Sequence, residues 1–254
     1  MRRARAHAAS TAEAEVGTKE LPPVAKEERK GRDPLLSAIC HDLRAPLAAV
    51  TMGANFVLQT LDHDEHDARS RKILEAMLRS CAQMERLVRN FADLSEIEGN
   101  AVHLREGTHD AGEMLDLAKE AAGEAARARS INLEVDKPQA NLHLYCDRDR
   151  MLRALHHLID NAIKHAPEAS TITLSVTRRG DDVVFCVVDR GEGLSAQTRR
   201  NLFDRHYHAK RANRVGAGFG LAIARGFAQA HRGKLTVDSK PGNTTFCLVV
   251  PKAE

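Results

Sequence analysis

Apolar residues recur every three or four positions along two long stretches in the first part of the chain. The first row follows Asp33-Pro34, a pair typical of a helix start, and consists of Leu36, Cys40, Leu43, Leu47, Val50, Ala54, Val57 and Leu61. After a polar break over 62–67, the second row consists of Leu74, Met77, Cys81, Met84, Val88 and Phe91. This heptad spacing predicts two amphipathic helices in an antiparallel hairpin. Because one hairpin cannot bury both rows, we expect a second copy to complete a four-helix bundle, and therefore a homodimer.

The pattern changes beyond Gly99-Asn100, where short apolar runs alternate with helical segments. Helices are predicted over 111–129, 149–165 and 218–230, and strands over 131–135, 142–146, 171–177, 182–188, 234–237 and 244–250. Mixed strands and helices of this kind form a helix-on-sheet layer. We therefore predict an α+β protein with a flexible arm over 1–33, a helical hairpin over 34–98 and an α/β domain over 99–254.

Composition limits the function classes. The chain has 254 residues, a net charge of +3, 4% aromatic residues and no Trp, which disfavours a surface that coats nucleic acid or stacks its bases. No apolar run has the length of a membrane span. The five cysteines are scattered, which argues against a disulfide framework and for a reducing compartment. We expect a cytoplasmic protein without a nucleic-acid partner.

His41 is the first residue that could carry chemistry. It lies beside the first apolar row but outside it, so its imidazole is expected to face water. The neighbouring Asp42 can hold one ring nitrogen and make the other more nucleophilic, and Pro46 is expected to bend the helix just beyond them. The alternative is an ordinary surface histidine on a coiled coil.

A second candidate is the polar side of the helix predicted over 149–165. His157, Asn161 and His165 follow at four-residue spacing, with Lys164 beside them, so they share one face. An amide oxygen suits Mg²⁺ and an ammonium group suits phosphate. A transition-metal site and a plain solvated face are the alternatives.

Two glycine-containing segments complete the candidates. Asp189 follows an apolar strand and precedes Gly191 and Gly193, so its carboxylate can accept a hydrogen bond from a base where the backbone approaches closely. The second segment opens the helix predicted over 218–230, and alternating glycines at a helix start suit a phosphate group. Its glycines are Gly216, Gly218 and Gly220.

In this order the segments resemble the sequence motifs of sensor histidine kinases of two-component systems. HDLRAPL is similar to the H-box, HLIDNAIKH to the N-box, DRGEG to the G1 box, LFDRHYH to the F-box and GAGFGLAIA to the G2 box. The resemblance extends from about Asp33 to Pro251. It implies a dimerisation and histidine-phosphotransfer hairpin followed by an α/β-sandwich ATP-binding domain of the Bergerat type.

The resemblance also implies roles for individual residues. His41 would be the phospho-acceptor, Asn161 would coordinate Mg²⁺, Lys164 would contact phosphate and Asp189 would bind the adenine amino group. The remaining nucleotide-binding positions would be His157, His165, Gly191, Gly193, Gly216, Gly218 and Gly220, with a lid from Phe203 to Arg214. The chain departs from the family at His157, where Asn is usual, at Ala45, where Thr or Asn is common, and at Tyr207, where Phe is common.

We therefore predict a histidine kinase that uses ATP and Mg²⁺ to phosphorylate His41. It would then pass the phosphoryl group to an Asp of a separate response regulator. Its input is expected from a separate sensory protein. A non-enzymatic phosphotransfer adaptor with a degenerate ATP-binding domain is the alternative, and an ATPase or serine kinase of the wider superfamily is a third possibility.

Overall fold

The computed structural model describes residues 34–60, 67–137, 142–203 and 219–251. The arm over 1–33, the lid beyond Phe203, and Gly216 and Gly218 lie outside the described residues. The helices are α1 (Pro34–Thr60), α2 (Asp67–Glu98), α3 (Ala111–Arg127), α4 (Arg148–His165), α5 (Ala196–Arg200) and α6 (Gly220–Ala230). The strands are β1 (Gly107–Asp110), β2 (Asn132–Asp136), β3 (His143–Cys146), β4 (Thr171–Arg179), β5 (Asp182–Asp189), β6 (Lys234–Lys240) and β7 (Asn243–Pro251).

Helices α1 and α2 form the predicted hairpin. They approach closely at Gly53, where a β-carbon would lie 2.6 Å from Met77 Cγ and 3.1 Å from Ile73 Cγ2. Helix α1 continues through Pro46 as one α-helix. His41 and Asp42 belong to α1, and their side chains lie outside the described part of the structure.

The residues of one predicted apolar row are not all buried in the same interface. Met77 and Met84 of the second row are half-buried, and Met77 packs against α1. The other members of that row are exposed, as is Leu78, which the heptad pattern did not include. These exposed residues are Leu74, Leu78, Cys81, Val88 and Phe91.

The second part of the chain is a two-layer α/β sandwich. Its main sheet has five strands in the order β2-β4-β5-β7-β6, and β2 pairs with β4 in parallel while the other neighbours are antiparallel. One face packs on α3, α4 and α6 through fully buried side chains such as Phe185, Phe246 and Leu248. The predicted α+β architecture, a helical hairpin followed by an α/β sandwich, is confirmed.

A two-stranded sheet of β1 and β3 supports the main sandwich and was not predicted in full. The segment Gly107–Asp110 is polar, so only its antiparallel pairing with β3 reveals it as a strand. Its last residue, Asp110, caps α3 by accepting from the amide of Glu113. Asp147, after β3, caps α4 in the same way at Arg150. Both helix starts therefore follow from capping carboxylates.

The last turns of α2 pack directly on α4 and α6. Leu94 is 2% exposed, and a β-carbon on Gly226 of α6 would lie 2.6 Å from Ile97 Cδ1. Asp93, also 2% exposed, forms ion pairs with Arg150 at 3.0 Å and with Arg153. Burial raises the pKa of Asp93, and the two guanidinium groups act in the opposite direction.

The cysteine spacing argues against a disulfide framework, and the structure corrects this for one pair. Cys186 and Cys247 are separated by 61 positions in sequence but face each other across β5 and β7 and are joined by a disulfide. Of the other cysteines with described side chains, Cys81 is exposed and Cys146 is buried. Register between distant strands brings the pair together, and sequence spacing does not show it.

Among the described helices, none combines the length and the apolar character needed to cross a bilayer.

Candidate functional site

Asp189 lies at the end of β5, the central strand of the main sheet. Its side chain is 2% exposed, and its Oδ1 accepts a hydrogen bond from the Gly191 amide at 2.8 Å. Burial, the largest effect, raises the pKa of the Asp189 carboxyl, while the Gly191 amide and the nearby His165 act against that rise. Buried carboxylates with raised pKa values cluster at functional sites.

The loop after Asp189 is fixed to the turn between β6 and β7. Gly191 accepts a hydrogen bond through its carbonyl from the Gly242 amide at 2.9 Å, and the Leu194 amide donates to Ser239 Oγ at 2.9 Å. Gly193 has φ +83°, and a β-carbon there would lie 2.8 Å from the backbone of Lys240. Glycine is therefore required at 193 for both conformation and space.

The α4 helix contacts two segments. Its C-terminal end lies against this loop, and its middle lies against the start of α6. The carbonyl oxygen of His165 would lie 2.8 Å from a β-carbon on Gly191. Two turns earlier, the His157 ring packs on Gly220, where a β-carbon would lie 3.0 Å from Nδ1. Asn161 stands midway, about 6 Å along the axis from each histidine, so one polar face of α4 joins the two glycine segments.

The electrostatics of this face are set mainly by burial. Desolvation is the largest effect and, together with the neighbouring His156, lowers the pKa of His157 to about 4. At pH 7 the His157 ring is therefore neutral, with one donor and one acceptor nitrogen. This supplies a hydrogen-bonding group in place of the Asn that the resemblance leads one to expect.

Asn161 and Lys164 are the candidates for holding a metal ion and phosphate. Asn161 is half-buried on the polar face of α4, and its amide oxygen is a hard ligand that fits Mg²⁺. Lys164 Nζ lies 2.7 Å from Asp160 Oδ2, and both side chains are about half exposed. An exposed ion pair of this spacing contributes only about 0.3–0.5 kcal/mol, so exchanging Asp160 for a phosphate oxygen costs little.

The structure brings most of the candidate residues near one face of α4. His157, Asn161 and His165 lie along that face, Gly220 contacts His157, and Gly191, which follows Asp189, contacts His165, whereas His41 lies on the separate hairpin. Sequence reasoning missed Ser239 and Thr244. Thr244 is 4% exposed and pairs with Asp189 across the sheet, and its hydroxyl is 2.9 Å from Ser239 Oγ. The register of β7 against β5 reveals Thr244, and the register of β6 against β7 reveals Ser239.

Two family models match the two parts of the chain. Residues 32–100 match His Kinase A (phospho-acceptor) domain. Residues 146–254 match Histidine kinase-, DNA gyrase B-, and HSP90-like ATPase. The first match ends two residues after α2, and the second begins at the last residue of β3, so β1, α3 and β2 lie between the two matches.

Similar proteins cover both parts together. The sensor-like histidine kinase SenX3 of Mycobacterium bovis is 30% identical over 232 residues, which span 89% of this chain and 55% of SenX3. The chain spans 26%, 30% and 55% of the first curated relatives it matches. The structure of Acinetobacter baumannii histidine kinase AdeS has a TM-score of 0.66 at 20% identity, covering 84% of this chain and 98% of AdeS. Histidine kinase ThkA, in complex with the response regulator protein TrrA, has a TM-score of 0.59 at 18% identity, covering 86% of this chain and 61% of ThkA.

Proposed function

Since the chain belongs to the sensor histidine kinases of two-component systems, we propose that it phosphorylates His41 from ATP and passes the phosphoryl group to an Asp of a response regulator. The observation that carries this proposal is the polar face of α4, which extends from the loop that follows Asp189 to the Gly220 end of α6. These are the two positions that an adenine and a polyphosphate would occupy. The match of residues 146–254 to the ATPase family supports the same assignment.

The nucleotide would bind along that face. Asp189 would accept a hydrogen bond from the adenine amino group, and the amides at the start of α6 would donate to phosphate oxygens. Asn161 would hold Mg²⁺, which neutralises charge on the phosphates. Lys164 would exchange Asp160 for a phosphate oxygen, and His157 would contribute a neutral hydrogen-bonding group beside Gly220.

The transfer itself requires little covalent chemistry from the protein. A ring nitrogen of His41 would attack the γ-phosphorus, so that an N–P bond forms and the P–O bond to ADP breaks. The proton on the other ring nitrogen would be held by Asp42. Phosphoryl transfer depends mainly on positioning and charge stabilisation, which the nucleotide domain supplies.

A homodimer fits the exposed apolar residues of the hairpin. Leu47 and Met52 of α1 are 56% and 71% exposed, and Leu78 of α2 is 69% exposed. Large apolar side chains left exposed on a hairpin are typical of an interaction site. A second hairpin placed on these residues would complete the four-helix bundle.

The phosphoryl acceptor would be a separate receiver domain, and the input would come from another sensory protein. The likeness to ThkA, whose structure contains a response regulator, supports the first of these partners. Because ATP is the donor, we place the reaction in the cytoplasm.

The phospho-acceptor is tested with the His41→Gln variant and labelled ATP. We expect the full chain to gain acid-labile, base-stable label, His41→Gln to gain none, and both to bind ATP equally in calorimetry. His143→Gln, at an exposed histidine of β3, is the matched control and should label normally. Label that persists in His41→Gln would refute the assignment, and a parent chain that binds no ATP would indicate the adaptor.

The dimer is tested by introducing a charge on its proposed surface. Leu78→Glu should shift the mass in solution from dimer to monomer, because a charge would be buried at the interface. Arg79→Glu, at the adjacent exposed position, should stay dimeric. A Leu78→Glu protein that remains a dimer at micromolar concentration would exclude this surface.

A further inference from the structure

The pairing of Cys186 with Cys247 lies in the middle of the nucleotide-binding sheet and has no part in the proposed phosphoryl transfer. The two residues are directly opposite each other on β5 and β7, with Cα atoms 4.2 Å apart. In antiparallel sheets this short separation marks a pair that shares no ladder hydrogen bonds, where side chains come closest. The backbone therefore places the two sulfur atoms together without any change in strand register.

The pair is on the open face of the sheet. Residues 185 and 187, which alternate with Cys186, face the helices and are fully buried. On the opposite face, one row crosses four strands in register and consists of Ser175, Cys186, Cys247 and Thr236. Cys186 is 8% exposed, Cys247 is half-buried, and Thr236 at the edge is exposed. A small reagent can thus reach the pair from the Cys247 side.

The other cysteines with described side chains do not offer this arrangement. Burial, with smaller contributions from the charges of Asp147 and Glu106, raises the pKa of the Cys146 thiol to about 12. Reactivity depends on the thiolate, so Cys146 is inert. Cys81 is exposed on α2 and serves as an internal reference for reaction with an oxidant.

We propose that Cys186 and Cys247 form a reversible dithiol–disulfide pair that responds to hydroperoxides and braces β5 against β7. The Cys247 thiolate would attack a hydroperoxide, so that an S–O bond forms, the O–O bond breaks and the alcohol or water leaves. The Cys186 thiolate would then displace hydroxide from that sulfur, forming the S–S bond. The hydroperoxide takes up two electrons from the two thiols, and an external dithiol returns them by exchange.

The disulfide links the two strands that carry the candidate nucleotide-binding residues. Asp189 and Thr244 form a pair farther along the same two strands, about 10 Å from the disulfide at the usual strand rise. Closing a loop between positions separated by 61 residues restricts the unfolded chain, and this raises the melting temperature of a domain of this size by about 10 °C. It also limits separation of β5 from β7 in the folded state.

The test uses the full chain, reduced with dithiothreitol and then titrated with hydrogen peroxide. Alkylation under denaturing conditions and peptide mass analysis should show five free thiols in the reduced protein and selective loss of those at 186 and 247. The melting temperature should rise by about 10 °C and return on renewed reduction. Amide exchange in peptides covering 183–190 and 244–250 should slow in the oxidised form.

Cys247→Ser should abolish the peroxide-dependent rise, whereas Cys81→Ser should keep it. Two outcomes overturn the proposal without use of any variant. In one, both thiols stay free at peroxide levels that oxidise Cys81. In the other, the disulfide resists reduction while the protein remains folded. None of these measurements depends on ATP or on His41, so they stand apart from the test of the proposed kinase activity.

Discussion

Replacing Asp189 with Asn separates the binding role of this carboxylate from its contribution to stability. The two side chains have nearly the same shape, and the Asn oxygen can still accept the 2.8 Å hydrogen bond from the Gly191 amide. What is lost is the charged acceptor for the adenine amino group, with the amide donor of Asn in its place. A hydrogen bond to a charged group contributes about 1.5–3 kcal/mol, so we expect ATP affinity to fall about 10- to 100-fold.

The same substitution should not destabilise the nucleotide-free protein. Burial raises the pKa of Asp189. A carboxyl group with a raised pKa in the folded state contributes stability below its unfolded pKa, and that contribution is lost as pH rises through the folded value. At pH 7 the ionised, buried Asp189 therefore lowers stability relative to a neutral residue. We expect the melting temperature of Asp189→Asn at pH 7 to be no lower than that of the parent. As the pH rises from about 4, the variant should lose less stability than the parent.

The assay is isothermal calorimetry with a non-hydrolysable ATP analogue, together with thermal unfolding between pH 4 and pH 7. Asp182→Asn, at the other end of β5, is the matched control and should bind the analogue as the parent does. An affinity for Asp189→Asn within threefold of the parent would refute the adenine assignment. A large drop in melting temperature at pH 7 would instead refute the inference from the raised pKa.

Four further predictions concern the site and the packing of the α/β domain. The pKa of His157 is about 4, so we expect its NMR titration midpoint below pH 5. The neutral, buried His157 ring contributes stability above about pH 6.5, and this contribution is lost as the pH falls toward 4. Arg153→Gln leaves the buried Asp93 with less compensating charge, so we expect a loss of about 1–3 kcal/mol at pH 7. This loss should shrink toward pH 4 as Asp93 becomes protonated, and urea unfolding at both values would measure it. Gly233→Ala would push a β-carbon into a backbone carbonyl of β7 and should cost more than about 2 kcal/mol in urea unfolding. Gly123→Ala, within α3, should instead stabilise by about 0.5–1 kcal/mol.

Local periodicity accounts for the parts of the fold that were predicted well. The helical hairpin follows from heptad spacing, and β5 follows from an apolar run that ends at Asp189. The faces of the hairpin were predicted less well. A residue of α2 can face either α1 or a second copy, and spacing alone does not choose between them. Met77 therefore packs on α1, whereas Leu74 of the same predicted row is exposed.

The residues that were missed depend on pairing between distant strands. Thr244 faces Asp189, and Cys186 faces Cys247, because β5 and β7 are neighbours in one particular register. Nothing near these residues in sequence encodes that register. It follows from burying one face of each strand under the helices, and a shift by one residue would turn every side chain to the opposite face.

Helix α6 connects the candidate nucleotide site with the hairpin that carries His41. At its first residue, Gly220, it contacts the His157 ring, and near its other end Gly226 contacts Ile97 of α2. Phe227 lies beneath the guanidinium groups that pair with Asp93, at 5.2 Å and 5.8 Å from its ring centre. A helix of 11 residues is about 16 Å long and stiffened by its own hydrogen bonds. We therefore expect a displacement of its first turn to move the contact of α6 with α2, because one stiff helix contacts both the candidate nucleotide site and the base of the hairpin.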